Sequence, residues 1–234
     1  MPDTELGFWE HLDELRSVLI KSVAAWLGFS VLAFFLKEPL FRVLFSPLGP
    51  GQKLINIDVT APFLIHMQVA LSVGFIAALP FIIAWLYAFV APALSPSGGH
   101  RPVCFVLAAF LLFVAGVALN WFLVFPLSFR FLSTYTLGET VVNQITVRSY
   151  ISMLLVLSVM MGLLFEIPVV TWLLSRTGIL RREHLKRYRG HVFIAILVLA
   201  ALITPTGDPF TLLLVTLPVY LLYELSILII PSKS

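Results

Sequence analysis

Apolar residues gather in long runs along this chain, separated by short polar links, and the run lengths predict its elements. The first run covers about Ser17 to Leu36. Ahead of it, Phe8, Leu12, Leu15 and Leu19 stand at i, i+4, i+7 and i+11, the stripe of an amphipathic helix over residues 5–15 that leads straight into the span. Glu10, Asp13 and Glu14 fall on another face, and Asp3 or Thr4 can cap the start. A second run begins after Thr60-Ala61-Pro62, an N-cap with proline near the first turn, and reaches about Val90, with Pro80 expected to kink it. The third is Val103 to Phe125 and the fourth about Ser149 to Leu174.

Two shorter runs follow, His191 to Ile203 and Thr211 to Tyr223, of 13 residues each. Each makes about 20 Å of helix, against a hydrocarbon core of about 30 Å. They make sense as a hairpin around Thr204–Pro209, with Asp208 as N-cap and Pro209 as the first helical residue. The expectation is an all-α integral membrane protein, a single six-span domain over residues 1–234, with the last two spans short and an amphipathic helix in front. Between the first two spans, "KEPLFRVLFSPLGPGQKLINIDVTAP" carries too many prolines and glycines for one helix, though short helical pieces fit it.

Composition agrees. The chain is 60% hydrophobic and 12% charged, with a mean hydropathy of +1.02. A soluble domain carries about 25% charged residues, so a soluble exterior is excluded. The first sixteen residues hold five acids and one base, Arg16, unlike the basic start of a secretory signal. One cysteine, Cys104, rules out a disulfide framework. The histidines His66, His184 and His191 show no metal-ligand spacing, and no internal repeat is visible.

Orientation follows from the basic residues of the links. On one side lie Arg16, Arg101, Arg176, Arg181, Arg182, Lys186, Arg187, Arg189 and Lys233; on the other lie Lys37, Arg42, Lys53, Arg130 and Arg148. Nine against five places both termini in the cytoplasm of a cell whose inner membrane the chain crosses. The cluster Arg181 to Arg189 is explained by this topology, with binding of anionic lipid headgroups as a second reading.

Glu166, in "MGLLFEIPVV", is the one acid inside the fourth run. A charge at mid-bilayer costs several kcal/mol, so the residue is either a structural acid bonded to another span or a polar point reachable by water or a partner's span. Pro168 should leave the Leu164 carbonyl without its helical donor, making the region locally polar. One alternative is a proton-coupled secondary transporter relaying protons through Glu166. A membrane-embedded enzyme is disfavoured, because the spans hold no paired acids, His–Glu motif or Ser–His set.

Eight short motifs occur in order: "HLDELR", "SPL", "DVTAPF", "YAFVAPAL", "VFPLSF", "FEIPVV", "LKRYR" and "LITPTGDPF". Together the chain resembles the TatC family, the multi-spanning receptor subunit of the twin-arginine translocase. The resemblance implies a concave six-span arrangement without cofactor, metal or catalysis, moving folded proteins across the membrane. It implies binding of twin-arginine signal peptides and of single-span TatA and TatB subunits, with self-association and no nucleic acid. The family's signal-binding acid falls on Glu14, followed by Arg16; its aromatic at the end of span two falls on Phe89, its intramembrane acid on Glu166 and its last outer-loop acid on Asp208. One family acid is absent. The link after "APAL" reads "SPSGGHRP", and by spacing the missing glutamate falls on Gly98.

The chemistry of that reading is simple. Arginine presents a planar fork that a carboxylate accepts bidentately. Two charged hydrogen bonds supply about 3–6 kcal/mol, whereas micromolar binding needs about 8 kcal/mol. Arginines therefore select, and an apolar segment must add the rest. Glu10, Asp13 and Glu14 read by themselves as a solvated helix face; the resemblance implies instead that Glu14, with the other two near it, is the acidic patch for that selection.

Overall fold

The structure is a computed structural model, describing residues 8–48, 52–93, 102–136, 138, 143–204 and 207–230. Gly98 and residues 5–7 lie outside them. Ten α-helices are present among the described residues: α1 (Phe8–Phe35), α2 (Lys37–Leu44), α3 (Ala61–Val90), α4 (Pro102–Leu119), α5 (Phe125–Thr134), α6 (Val147–Phe165), α7 (Ile167–Arg176), α8 (Arg182–Arg187), α9 (Arg189–Ile203) and α10 (Pro209–Ile229). Five segments are long and apolar enough to cross a membrane: α1, α3, the α4–α5 run, the α6–α7 run and α10. The 15-residue α9 is the shorter sixth apolar helix.

The amphipathic segment and the first span form one unbroken helix. Leu12 and Leu19 of the expected stripe are exposed, and Val18 and Ala33 are the apolar residues α1 buries. α1 packs along α3, where Ser30 lies directly against Gly74; a Cβ there would collide with the Ser30 Oγ. The Trp26 indole N–H donates to the Leu71 carbonyl across the same seam at 2.8 Å.

α6 is the hub. Half of the α6–α7 span is buried, against 17% of α1. Tyr150, Ile151, Leu154, Leu157 and Met161 are all within 1% of full burial. α4 approaches α6 through glycines: a Cβ on Gly116 would stand 2.5 Å from the Met161 carbonyl oxygen, and one on Gly162 would stand 2.5 Å from the Phe113 ring. Small residues at helix crossings allow this proximity where no hydrophobic effect drives association.

Four expectations are corrected. The third span does not stop at Phe125 but continues to Thr134 through a π-helical turn at Asn120–Val124. There the Phe125 amide bonds the Asn120 carbonyl, five residues back. The one-residue offset falls just before Pro126, which cannot donate to an α-helical ladder. The final helix is not short: α10 runs 21 residues, about 31 Å, past Glu224 to Ile229. It continues because Glu224 is satisfied, accepting from Arg189 Nη2 at 2.8 Å and from the Tyr220 hydroxyl at 3.0 Å. Thr60 occupies the N-cap position of α3 but makes no side-chain cap bond, although Pro62 stands in the first turn as expected. The fourth span is divided at Glu166 rather than continuous.

On the side away from the N-terminus, two loops join. Ile55 donates to the Ile145 carbonyl and accepts from Val147, both at 3.0 Å, a parallel bridge between links far apart in sequence.

Candidate functional site

Two places carry the predicted chemistry. The first lies where α1 begins and α3 ends. His11 stacks on Phe89, with ring centroids 4.3 Å apart and planes 14° from parallel. One helical turn on, Glu14 Oε2 lies 3.7 Å from His11 Nδ1. Residues three apart share a helix face, so α1 presents His11 and Glu14 together to the end of α3. Glu14 and Phe89 are half-buried, leaving an acid and an aromatic edge beside one another at the span ends. Tyr87, two residues earlier, points to another side of α3, where it is buried against Phe105 at 4.5 Å, and Phe105 meets Trp172 at 5.8 Å.

Not every predicted residue joins this face. Asp13 and Arg16 line a separate shallow groove with Ser17, Ile20 and Lys21. Arg16 is therefore not brought to Glu14 and Phe89. Glu10 is exposed, one turn before Glu14 on α1. His11 is the residue that sequence reasoning missed. Its signal was available, since it stands three residues before Glu14 on the same helical face, but nothing in sequence placed it against Phe89.

The second place is Glu166, the hinge residue between α6 and α7. Pro168 has no N–H, and the Glu166 amide donates to the Leu163 carbonyl at 3.1 Å, a tightened turn at the end of α6. Glu166 Oε1 is buried and has no hydrogen-bond partner among the described residues. Ten residues before Arg176, it sits about 15 Å in from the end of its span. The apolar cavity next to Pro168 and Trp172, about 380 Å³, does not include Glu166 in its wall.

Asp208 is a helix cap. Its side chain accepts from the Thr211 amide at 2.7 Å, ahead of Pro209 at the first position of α10.

An all-helical bundle of this length, with five spans and a shorter apolar helix, is a multi-pass membrane protein. The family model described as Sec-independent protein translocase protein (TatC) matches residues 10–218. Similar proteins include the Sec-independent protein translocase protein TatC of Carboxydothermus hydrogenoformans, 34% identical over 98% of this chain and 94% of the relative. That of Aquifex aeolicus is 35% identical over 93% and 92%. A crystal structure described as the twin arginine translocase receptor TatC in DDM superposes with a TM-score of 0.86 at 34% identity, covering 95% of this chain and 100% of that one. The chain belongs to the TatC family.

Proposed function

We propose that this protein is the signal-peptide receptor and core of a twin-arginine translocase, passing folded cargo across the membrane without catalysis or cofactor. The observation that carries the reading is the face formed by His11, Glu14 and Phe89. A carboxylate on this face can accept the fork of a signal arginine, and the neighbouring aromatic edge can pack on its guanidinium plane. The apolar remainder of a signal peptide has Leu86 alongside it, exposed one turn before Phe89 on the same face of α3, and such apolar contact supplies the binding energy that arginines alone lack. The similarity to a structure described as a twin arginine translocase receptor supports the same reading.

Glu166 is assigned to contact with single-span partners of the TatA and TatB kind, because its unpartnered buried oxygen is a polar point that a partner's helix could satisfy. Both termini are placed in the cytoplasm, on the side of the Arg176–Arg189 cluster. Self-association within the membrane completes the proposal.

The test compares a twin-arginine peptide with its Lys-Lys variant on the purified protein. Glu14→Gln should weaken the twin-arginine peptide severalfold and the Lys-Lys peptide much less. Equal loss for both would reduce Glu14 to a general electrostatic contribution.

A further inference from the structure

At the end of the bundle that carries the N-terminus, a cavity of about 910 Å³ opens between the end of α7, the start of α8 and the end of α10. Its lining residues include three arginines, Arg176, Arg181 and Arg182, against one acidic residue, Glu183, with His184 alongside. Arg176 is partly committed, lying 5.3 Å from the centre of the Trp172 ring. Arg181 and Arg182 are in no ion pair among the described residues, and the Arg182 Nε is buried with no hydrogen-bond partner there. A buried guanidinium N–H without an acceptor is costly, and guanidinium groups of neighbouring arginines match a phosphate. Ile230, which closes the wall, is itself buried, while Leu228 and Ile229 expose large apolar surface next to it. The cavity therefore joins a cationic pocket to the apolar flank of a span.

We propose that this cavity binds one anionic phospholipid of the adjoining leaflet, its phosphate held by Arg181 and Arg182 and its acyl chains lying along the end of α10. Topology alone explains why bases accumulate on this side, but it asks only for charge in the links. It does not account for two arginines without ion pairs lining one cavity at the rim of the apolar spans. Headgroup recognition by basic pockets between spans does. The inference is independent of the signal-receptor reading, since it involves neither Glu14 nor Phe89.

The experiment uses the full-length protein purified in a neutral detergent. Retention of dioleoylphosphatidylglycerol is titrated by native mass spectrometry and followed by thermal unfolding. Dioleoylphosphatidylcholine and inorganic phosphate are the comparison ligands. The expected result is retention of the anionic lipid, a rise in unfolding temperature on its addition, and an affinity roughly fivefold lower in Arg182→Gln. Lys186→Gln and Arg187→Gln, exposed and outside the wall, should leave the affinity unchanged. Should Arg182→Gln fail to fold, Arg181→Gln makes the same test from the outer rim. Equal losses from all these variants would show diffuse attraction and overturn the site. Equal binding of the zwitterionic lipid would overturn phosphate recognition by charge. Equal stabilisation by inorganic phosphate would overturn the lipid as occupant.

Discussion

The His11 ring lies flat on the Phe89 ring at 4.3 Å and so ties the first turn of α1 to the last turn of α3. Residues 78 positions apart thereby share one surface, with Glu14 on the same side of α1. The contact orders the acid relative to the aromatic, a geometry neither helix has alone.

That contact is open to measurement. A stacked aromatic pair contributes about 0.5–1.5 kcal/mol beyond area burial, or roughly two- to twelvefold in affinity if binding depends on it. His11→Ala and Phe89→Ala should each weaken a twin-arginine peptide within that range and leave the unfolding temperature nearly unchanged, since the site is at the rim. His11→Phe should retain most of the affinity. Calorimetry or fluorescence anisotropy with the labelled peptide reads the outcome, and unchanged affinity in both alanine variants would remove this face from the receptor site.

The α4–α6 crossing is expected to tolerate no added volume. Overpacking costs about 1–3 kcal/mol, and Gly162→Val should lower the thermal unfolding midpoint by several degrees because the new atoms meet the Phe113 ring. Gly28→Ala, with nothing within 4 Å of the added Cβ, should be neutral or slightly stabilising. A scan of both variants in the same detergent separates the two.

Glu166→Gln should keep expression and thermal stability near normal, because the amide preserves shape at a residue whose buried oxygen has no partner among the described residues. Glu166→Ala should be somewhat less stable through lost packing. Both should reduce crosslinking of single-span subunits to cysteines placed near position 166, with signal-peptide affinity retained. Loss of peptide affinity with partner contacts intact would move Glu166 into the signal site.

Arg189 and Glu224 join the start of α9 to the C-terminal part of α10. A hydrogen bond to a charged group contributes about 1.5–3 kcal/mol, reduced here by partial exposure. Arg189→Gln should therefore destabilise more than Glu224→Gln, since it leaves a half-buried carboxylate with only the Tyr220 hydroxyl. A double-mutant cycle on the unfolding midpoint gives the coupling.

Among the apolar spans of the described residues, α9 alone remains short of the bilayer. At 15 residues it spans about 22 Å against about 30 Å, so the membrane should thin, or water should enter, next to it. Four leucines added within α9 should reduce transport while expression stays normal. Unimpaired transport by the lengthened protein would dismiss any role for the mismatch.

The class of the protein is legible along the chain alone. Apolar runs too long for a soluble core, separated by links too poor in charge to coat a surface, require a helical membrane protein, since only intrahelical bonds satisfy the backbone in lipid. The local caps and breaks are legible in the same way: Asp208 caps α10 through a short-range bond to Thr211, and Pro168 ends α6 by removing one donor. These effects act within a few residues, so they can be read along the chain. Tertiary structure decided what depends on distant neighbours. Glu224 looked like the end of a span until Arg189 and Tyr220 were found to satisfy it, and α10 gained its full length. Phe125 looked like the end of a span until the π-helical turn carried the helix past Pro126. Arg16 and Glu14 are near neighbours in sequence, yet Arg16 lines a groove that Glu14 does not, while His11 and Phe89, far apart, touch. Helical periodicity fixes which residues share a face, but only packing decides which face meets which.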